Sequence, residues 1–372
     1  MKILIAGGGI AGLATAWRLA KAGYQVEIVE RGRAGRGATW ASAGMLAPGV
    51  EIGTEEGPLA QFARDARRAW PAFAKELEAE SGVDIGFRED GSIIAAEDEK
   101  RAQHLQERAR ALRTAGMDAE WLTPSAMRAR EPVLSSELYG ALFVAGDAQV
   151  DNRALSEALV AALARRGVKL RELCEVCSLF IDKDRVQGVV TSDGMIPGDV
   201  VILASGAWLN HIGGIAPDVL PPVSPANGQM LALEPPAGAA LPTALLWNED
   251  VYLVPRRHRL FAGATMEDAG FDTSVTREAR KHLLAAAARL IPAAKSWPVA
   301  EMWAGLRPRT KDGAPVLGPT SISGLYVAGG QFRNGIMFAP LVAETVSRAV
   351  MGQPRSEMTA TFDQRRFQKQ DA

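Results

Sequence analysis

The sequence predicts an α/β protein: a doubly wound, Rossmann-like dinucleotide-binding domain joined to a second, α+β domain built on an antiparallel sheet. Three observations carry this reading. A glycine fingerprint links an apolar strand to an Ala-rich helix within the first thirty residues. From Pro221 the alternation of strand and helix gives way to separate strands joined by loops. At Leu325-Tyr326-Val327-Ala328-Gly329-Gly330 the first pattern returns. Alternating strands and helices imply a parallel sheet, whereas consecutive strands imply an antiparallel one.

Met1 to Ala6 is too short for a helix and suits a buried parallel strand. Gly7-Gly8-Gly9-Ile10-Ala11-Gly12 follows and fits G-x-G-x-x-G. Gly7 permits the tight turn, Gly9 lets backbone approach a pyrophosphate, and Gly12 lets helix and strand pack closely. Leu13 to Ala22 reads as a helix stopped by Gly23, and its N-terminus offers N–H groups and a positive dipole end to phosphate. A second strand, Gln25 to Val29, ends at Glu30, where an acid accepts hydrogen bonds from an adenosine ribose. At this point NAD and FAD fit equally well.

Bulk properties narrow the class. The 372 residues exceed a typical single core, so two domains are expected. A hydrophobic share of 47% describes an ordinary globular chain, and a net charge of −1 gives no reason to expect nucleic acid or an anionic membrane as partner. Apolar runs stay short of the roughly 18 residues of a membrane span, and the first one is already used as a strand. A cytoplasmic protein is therefore expected. Cys174 and Cys177 are the only cysteines. Their C-x-x-C spacing falls on a strand-like segment, which sends the sulfurs to opposite faces, so both are read as ordinary, partly buried residues.

Next comes a loop of small residues, Gly37 to Gly49, suited to backbone lying against a flat ligand; Trp40, Met45 and Leu46 argue against a flexible linker. Pro58 to Ser81 reads as an amphipathic helix that Pro71 should kink or split. Val83 to Ala96 suggests two short strands, Asp98 to Ala115 a charged helix, and Thr123-Pro124 a capped helix start. Leu142 to Val150 is strand-like, and Asp151-Asn152 caps a helix to Arg166. Beyond the cysteine strand, Phe180 to Ile196 suggests a meander. Asp199 to Trp208 is a buried strand ending in a small-residue turn at Gly206, where doubly wound sheets bind ligands. Val223 to Leu233, Val251 to Pro255, Leu260 to Thr265 and Trp297 to Leu306 supply the antiparallel strands, with a helix over Arg277 to Leu290. A last helix covers Ile336 to Met351, and a polar tail begins at Gln353. The expected domains are discontinuous: 1–82, 148–218 and 312–372 for the nucleotide, 83–147 and 219–311 for the substrate.

Trp303-Ala304-Gly305-Leu306-Arg307-Pro308, with Asp312-Gly313 and Gly318, and Gln331-Phe332-Arg333-Asn334-Gly335-Ile336 are the most informative stretches. Together with Ala43-Gly44-Met45-Leu46-Ala47-Pro48, Val251 to Arg256 and Gly263 to Met266, they resemble the D-amino-acid oxidase superfamily of FAD enzymes. Within it the likeness is greatest to the glycine oxidases of the thiamine pathway. The likeness runs from residue 1 to about 350 and decides for FAD.

The resemblance implies a set of roles. Ile10 and Ala11 would lie at the pyrophosphate, Glu30 and Arg31 at the adenosine, and Val176 at the adenine. Ala38, Thr39, Ala43, Gly44 and Met45 would lie along the flavin, and Gln331 to Met337 at its edge. Arg307 would clamp a substrate carboxylate, with Arg333 and Tyr252 in the same pocket and Ala47 and Met266 on its walls. Arg307 stands between Leu306 and Pro308 in an otherwise apolar strand, and a planar guanidinium can hold a carboxylate by two parallel hydrogen bonds. The helix opened by Arg333 could stabilise negative charge on a reduced flavin.

The implied reaction is hydride transfer from the Cα of glycine, sarcosine or a small D-amino acid to flavin N5, giving an imine, then a keto acid and ammonia, with oxygen reduced to peroxide. The alternative is a dehydrogenase passing electrons to a quinone or protein. An RNA-modifying flavoprotein would need a basic surface, and a non-catalytic FAD-binding protein would not need Arg307. Leu246-Trp247-Asn248-Glu249-Asp250 departs from the family's aromatic, His-containing segment, so Trp247 and Asp250 are expected to alter pocket size and charge. The attachment residues of covalent relatives are missing, which implies non-covalent FAD; a homotetramer is also implied. The four histidines form no constellation, and no metal is expected.

Overall fold

In the computed structural model, which describes residues 1–354 and 356–370, strand β1 (Lys2–Ala6) lies at the middle of a six-stranded sheet. It runs parallel to β2 (Gln25–Val29) on one side and to Val200–Leu203 on the other. Lys169–Arg171 adds a parallel strand beyond β2 and Leu325–Gly329 another beyond Val200–Leu203, while Val316–Pro319 closes that edge antiparallel. Ile3, Leu4, Ile5, Val201, Ile202 and Leu203 are fully buried, as a sheet covered on both faces demands.

Helix α1 (Ile10–Lys21) starts directly from the glycine turn. Gly7 sits at φ +114°, and a Cβ there would strike the Ala204 carbonyl; a Cβ on Gly12 would strike the carbonyl of Gly7. The short helix α2 (Pro48–Glu51) precedes the long α3 (Pro58–Ser81), and the C-terminal helix α4 (Gly335–Val350) packs on both α1 and α3. Trp17, Phe62, Trp70, Phe73 and Phe338 fill the space between these helices. Trp70 Nε1 donates to the Met337 carbonyl at 2.9 Å, so this ring satisfies its own polar atom while buried.

The second large sheet has eight strands. Strand β3 (Val223–Leu233) pairs along its length with β5 (Val299–Thr310), and on its other side with Arg259–Gly263. Strand β4 (Tyr252–Arg256) continues the sheet toward Leu245–Trp247, Ser92–Ala95, Ala141–Val144 and Ala119–Leu122. All pairings are antiparallel except Leu245–Trp247 with Ser92–Ala95, which are parallel. A three-stranded antiparallel meander spans Val176–Asp182, Arg185–Thr191 and Gly194–Pro197.

Several local expectations are corrected. Helix α3 passes through Pro71 unbroken; Pro71 is on the exposed side, where the hydrogen bond it forfeits costs least. The segment 83–96 holds one strand, with Arg88 making only an isolated bridge to Gln149. The run 142–150 divides into Ala141–Val144 and Ala148–Gln149, the latter pairing with Met45–Leu46. The cysteine segment is not one strand: Leu173 has a φ of +56° and turns the chain out of the first sheet into the meander. Cys174 is buried, Cys177 is exposed, and both are free thiols.

The polar tail is also structured where it is described. Phe362 is 3% exposed and its ring lies 5.0 Å from Phe62, while its carbonyl accepts from the Leu317 amide. Arg366 pairs with Asp312 at 2.7 Å. Replacing Phe362 by Ala is expected to lower unfolding free energy by about 3 kcal/mol, the usual range for emptying a buried phenylalanine site. A chemical-denaturation midpoint unchanged from wild type would contradict this packing.

Candidate active site

A cavity of about 510 Å³ opens at the C-terminal ends of the parallel strands and runs across to the large sheet. At its first end the Glu30 carboxylate accepts from the amides of Gly8 at 2.7 Å and Gly32 at 2.8 Å, which holds the glycine turn against the end of β2. The Arg31 guanidinium lies 3.5 Å over the Trp208 ring, and Val176 and Gly206 complete this wall. A Cβ on Gly206 or Gly37 would meet nothing within 4 Å, and one on Gly9 only the Thr39 hydroxyl at 3.5 Å. The backbone here is bared toward open space, as a bound pyrophosphate requires.

The middle of the cavity is the small-residue loop, and it is braced rather than loose. Thr39 Oγ1 accepts from the Ile10 amide at 2.9 Å, so that N–H ties the loop to the start of α1. The buried Asn152 amide donates to the carbonyls of Thr39 and Trp40 at 2.8 and 2.9 Å. Arg256, fully enclosed at the end of β4, donates to the carbonyls of Ala43, Val150 and Pro255 and to Gln149 Oε1. Burial pushes its guanidinium down to about 10, still protonated at neutral pH.

The far end carries the charges. Arg307, on β5, donates to the carbonyls of Asn227 at 3.2 Å and Thr265 at 3.3 Å and touches the Met266 sulfur at 3.8 Å. No acid lies within ion-pair distance of it among the described residues. It lies across Gly228, where any Cβ would overlap the guanidinium. Tyr252 lines the same space, with its hydroxyl 3.6 Å from the Met230 sulfur and its ring 5.3 Å from Trp247. Burial pushes the Tyr252 phenol up, against the pull of Arg307, so it stays a neutral donor. Arg333 pairs with Glu51 at 3.3 Å. Asp250 also reaches the cavity wall, but its carboxylate pairs with Arg289.

The cavity wall thus brings together Gly7, Gly9, Ile10, Ala11, Glu30, Arg31, Ala38, Thr39, Ala43, Gly44, Met45, Val176 and Gly206 with Trp247, Asp250, Tyr252, Met266, Arg307, Gln331, Phe332, Arg333, Gly335 and Ile336. Four expected residues fall outside it. Gly12 packs on the glycine turn, Ala47 is buried ahead of α2, Asn334 stands at the N-cap position of α4 without a side-chain capping bond, and Met337 is buried within α4, its carbonyl accepting from Trp70. Sequence reasoning missed Glu51, Arg256, Asn152 and Trp208. An arginine among apolar residues in Leu253-Val254-Pro255-Arg256 was a usable signal for one of them; an acid in a four-residue helix gave none.

Behind the wall, Asp147 is completely buried and accepts from the Gly49 amide at 2.8 Å, holding α2 in place. Burial raises its carboxyl to about 7, and the charge of Glu51 adds to the shift.

Comparison with known proteins matches residues 2–349 to the family described as FAD dependent oxidoreductase. The chain belongs to that family. It is 36% identical over 353 residues to a glycine oxidase of Geobacillus kaustophilus, covering 93% of each chain. It is 34% identical to the bifunctional protein ThiO/ThiG of Trichormus variabilis, over 99% of this chain and 55% of that protein. The chain thus spans about half the length of its bifunctional relatives and most of the length of the glycine oxidase. The crystal structure of glycine oxidase from G. kaustophilus superposes with a TM-score of 0.89 at 34% identity, covering 97% of each chain. That of iminodiacetate oxidase from a Chelativorans species gives 0.88 at 28% identity, covering 97% of this chain and 98% of the other. The bared glycines, the Glu30 clasp and the braced loop fit FAD: a dinucleotide end and a flat middle in one cavity.

The buried Asp147 gives stability a pH signature. Its folded-state value lies above the unfolded one, so between about pH 4 and 7 the folded chain holds a proton that the unfolded chain has released. This contribution is present at low pH and is lost as pH rises through 7. Asp147→Asn is expected to flatten the decline of melting temperature between pH 5 and 8; an unchanged slope would count against the assignment.

Proposed function

We propose that the protein oxidises a small amino acid, with glycine, sarcosine and small D-amino acids as the substrate class, at the Cα–N bond. The observation that carries this reading is Arg307: a guanidinium in the cavity wall, held in place by neutral acceptors and lying across a glycine. Such a group is suited to receive a carboxylate through two parallel hydrogen bonds. The similarity to glycine oxidase and iminodiacetate oxidase supports the same class of donor.

Bound FAD supplies the two-electron acceptor for this chemistry. Glu30, the glycine turn and Arg31 would hold its adenosine diphosphate end, and the loop from Ala38 to Met45 with Gln331 to Ile336 would hold its flavin. The chain's part is orientation: Arg307 fixes the carboxylate, and Tyr252 offers an O–H beside it. Trp247, its ring tilted against that of Tyr252, narrows the far wall and favours small side chains. The imine product would hydrolyse to a keto acid and ammonia, and dioxygen would complete the cycle as peroxide.

The test is anaerobic reduction of the flavin by glycine, sarcosine, D-Ala, D-Pro and L-amino acids. Bleaching by the first four is expected, and bleaching by none of the panel would sink the reading. Arg307→Met is expected to weaken glycine binding about 100-fold, the equivalent of one charged hydrogen-bonded contact, with FAD retained. In air, slow peroxide beside fast dye reduction would point instead to a dehydrogenase. Acid precipitation should leave the flavin in the supernatant, because Cys174 and Cys177 lie at the adenosine end, Cys174 donating its amide to the Glu30 carbonyl; flavin in the pellet would contradict non-covalent binding.

A further inference from the structure

Glu51 is the charged residue of the cavity that the reading above leaves without a task. It ends α2, its side chain is about nine-tenths buried, and it lines the same cavity as Arg307 and Tyr252. The other acids on the wall are engaged elsewhere. Glu30 clasps the glycine turn, Asp250 pairs with Arg289, and Glu249 pairs with Arg101. Glu175 lies at the adenosine end beside Val176.

The charges facing Glu51 come from every side. Arg333, ahead of α4, pairs with it at 3.3 Å, and Arg307 on β5 acts on it from across the cavity. Tyr252 on β4 senses its charge. Asp147 lies behind it, through the Gly49 amide, and Arg108 braces the Val50 carbonyl at 2.6 Å. Burial raises the Glu51 carboxyl above the ordinary carboxylate range, and the two arginines pull it back down. A carboxylate shifted in this direction takes up a proton more readily than an ordinary one.

An amino acid in water carries an ammonium, and oxidation at Cα requires the neutral amine. Arg307 with a substrate carboxylate is neutral, as is Arg333 with Glu51. An ammonium bound between them adds one uncompensated positive charge, and neutrality returns once its extra proton has left the cavity. We propose that Glu51 takes that proton: the N–H bond of the substrate ammonium breaks, an O–H bond forms on the Glu51 carboxylate, and no electrons change hands. The proton then leaves past Arg333, whose side chain is 44% exposed. This rests on the amino-acid reading given above.

The test compares wild type, Glu51→Gln and Glu51→Asp as FAD-loaded proteins, by anaerobic stopped-flow reduction with glycine from pH 6 to 10. Gln can still accept a hydrogen bond from Arg333 but cannot take a proton. Glu51→Gln is expected to reduce at least tenfold more slowly at pH 7, with the deficit closing toward pH 10, where free amine is abundant. Glu51→Asp should keep a pH profile of the wild-type shape, which a merely structural role in holding Arg333 would not require. Binding of glycolate, a carboxylate ligand without an amine, should be little changed in Glu51→Gln. Identical pH profiles for wild type and Glu51→Gln would overturn the proton role alone. A wild-type flavin that no amine reduces would overturn the substrate class, and this inference with it.

Discussion

The arrangement depends on one buried guanidinium. Arg256 leaves the end of β4 and binds the carbonyl of Ala43 in the small-residue loop, the carbonyl of Val150 and the side chain of Gln149. Those segments belong to three separate parts of the chain: the eight-stranded sheet, the loop beside the first sheet, and the return crossing between them. A buried positive charge is expensive to place. It is tolerated here because each contact satisfies a carbonyl that would otherwise be orphaned in the seam between the sheets. With the seam fixed, the loop has a defined surface, and Asn152 and Thr39 complete the bracing from the other side. The cavity exists because these polar contacts hold the two sheets at a set distance while small side chains line the space between them.

Charge in the cavity is graded along its length. Glu30 stands at one end, with its carboxylate spent on backbone amides. The middle is lined by backbone and small residues. At the other end, two arginines and one acid leave a single positive charge, on Arg307, free of an acidic partner. An anionic ligand is thereby drawn to one point of a long cavity, and its orientation is decided before any chemistry begins.

The fold was legible in the sequence wherever one periodicity dominated. The glycine turn, its flanking strands and the meander all stand where the residues put them, because apolar runs and turn residues agree locally. Legibility failed where tertiary contacts override local pattern. Pro71 looks like a helix breaker, yet its exposed side and the packing of Trp70 and Phe73 carry α3 through it. The tail looks polar, yet one phenylalanine anchors it. In the cavity, glycines and Arg307, set between Leu306 and Pro308, announced themselves by type and setting. Glu51, Asn152 and Trp208 did not, since an acid, an amide and an indole take on these roles only when distant segments meet them. Ala47 and Met337 show the converse: adjacency to wall residues in sequence does not place a side chain on the wall.

The central place of β1 has a consequence for how the protein comes into being. One neighbour, β2, follows within thirty residues, but the other is Val200–Leu203, and that strand's outer partner is Leu325–Gly329. At ordinary rates of translation, the roughly two hundred residues up to Val200–Leu203 take about 10 to 40 seconds to emerge. Throughout that interval the glycine turn has its helix but only half of its sheet, and the apolar edge of β1 awaits a partner. Such long-range pairing is slow to form and leaves an edge open to aggregation. A nascent chain of this design therefore has reason to be shielded until its final helix has been made.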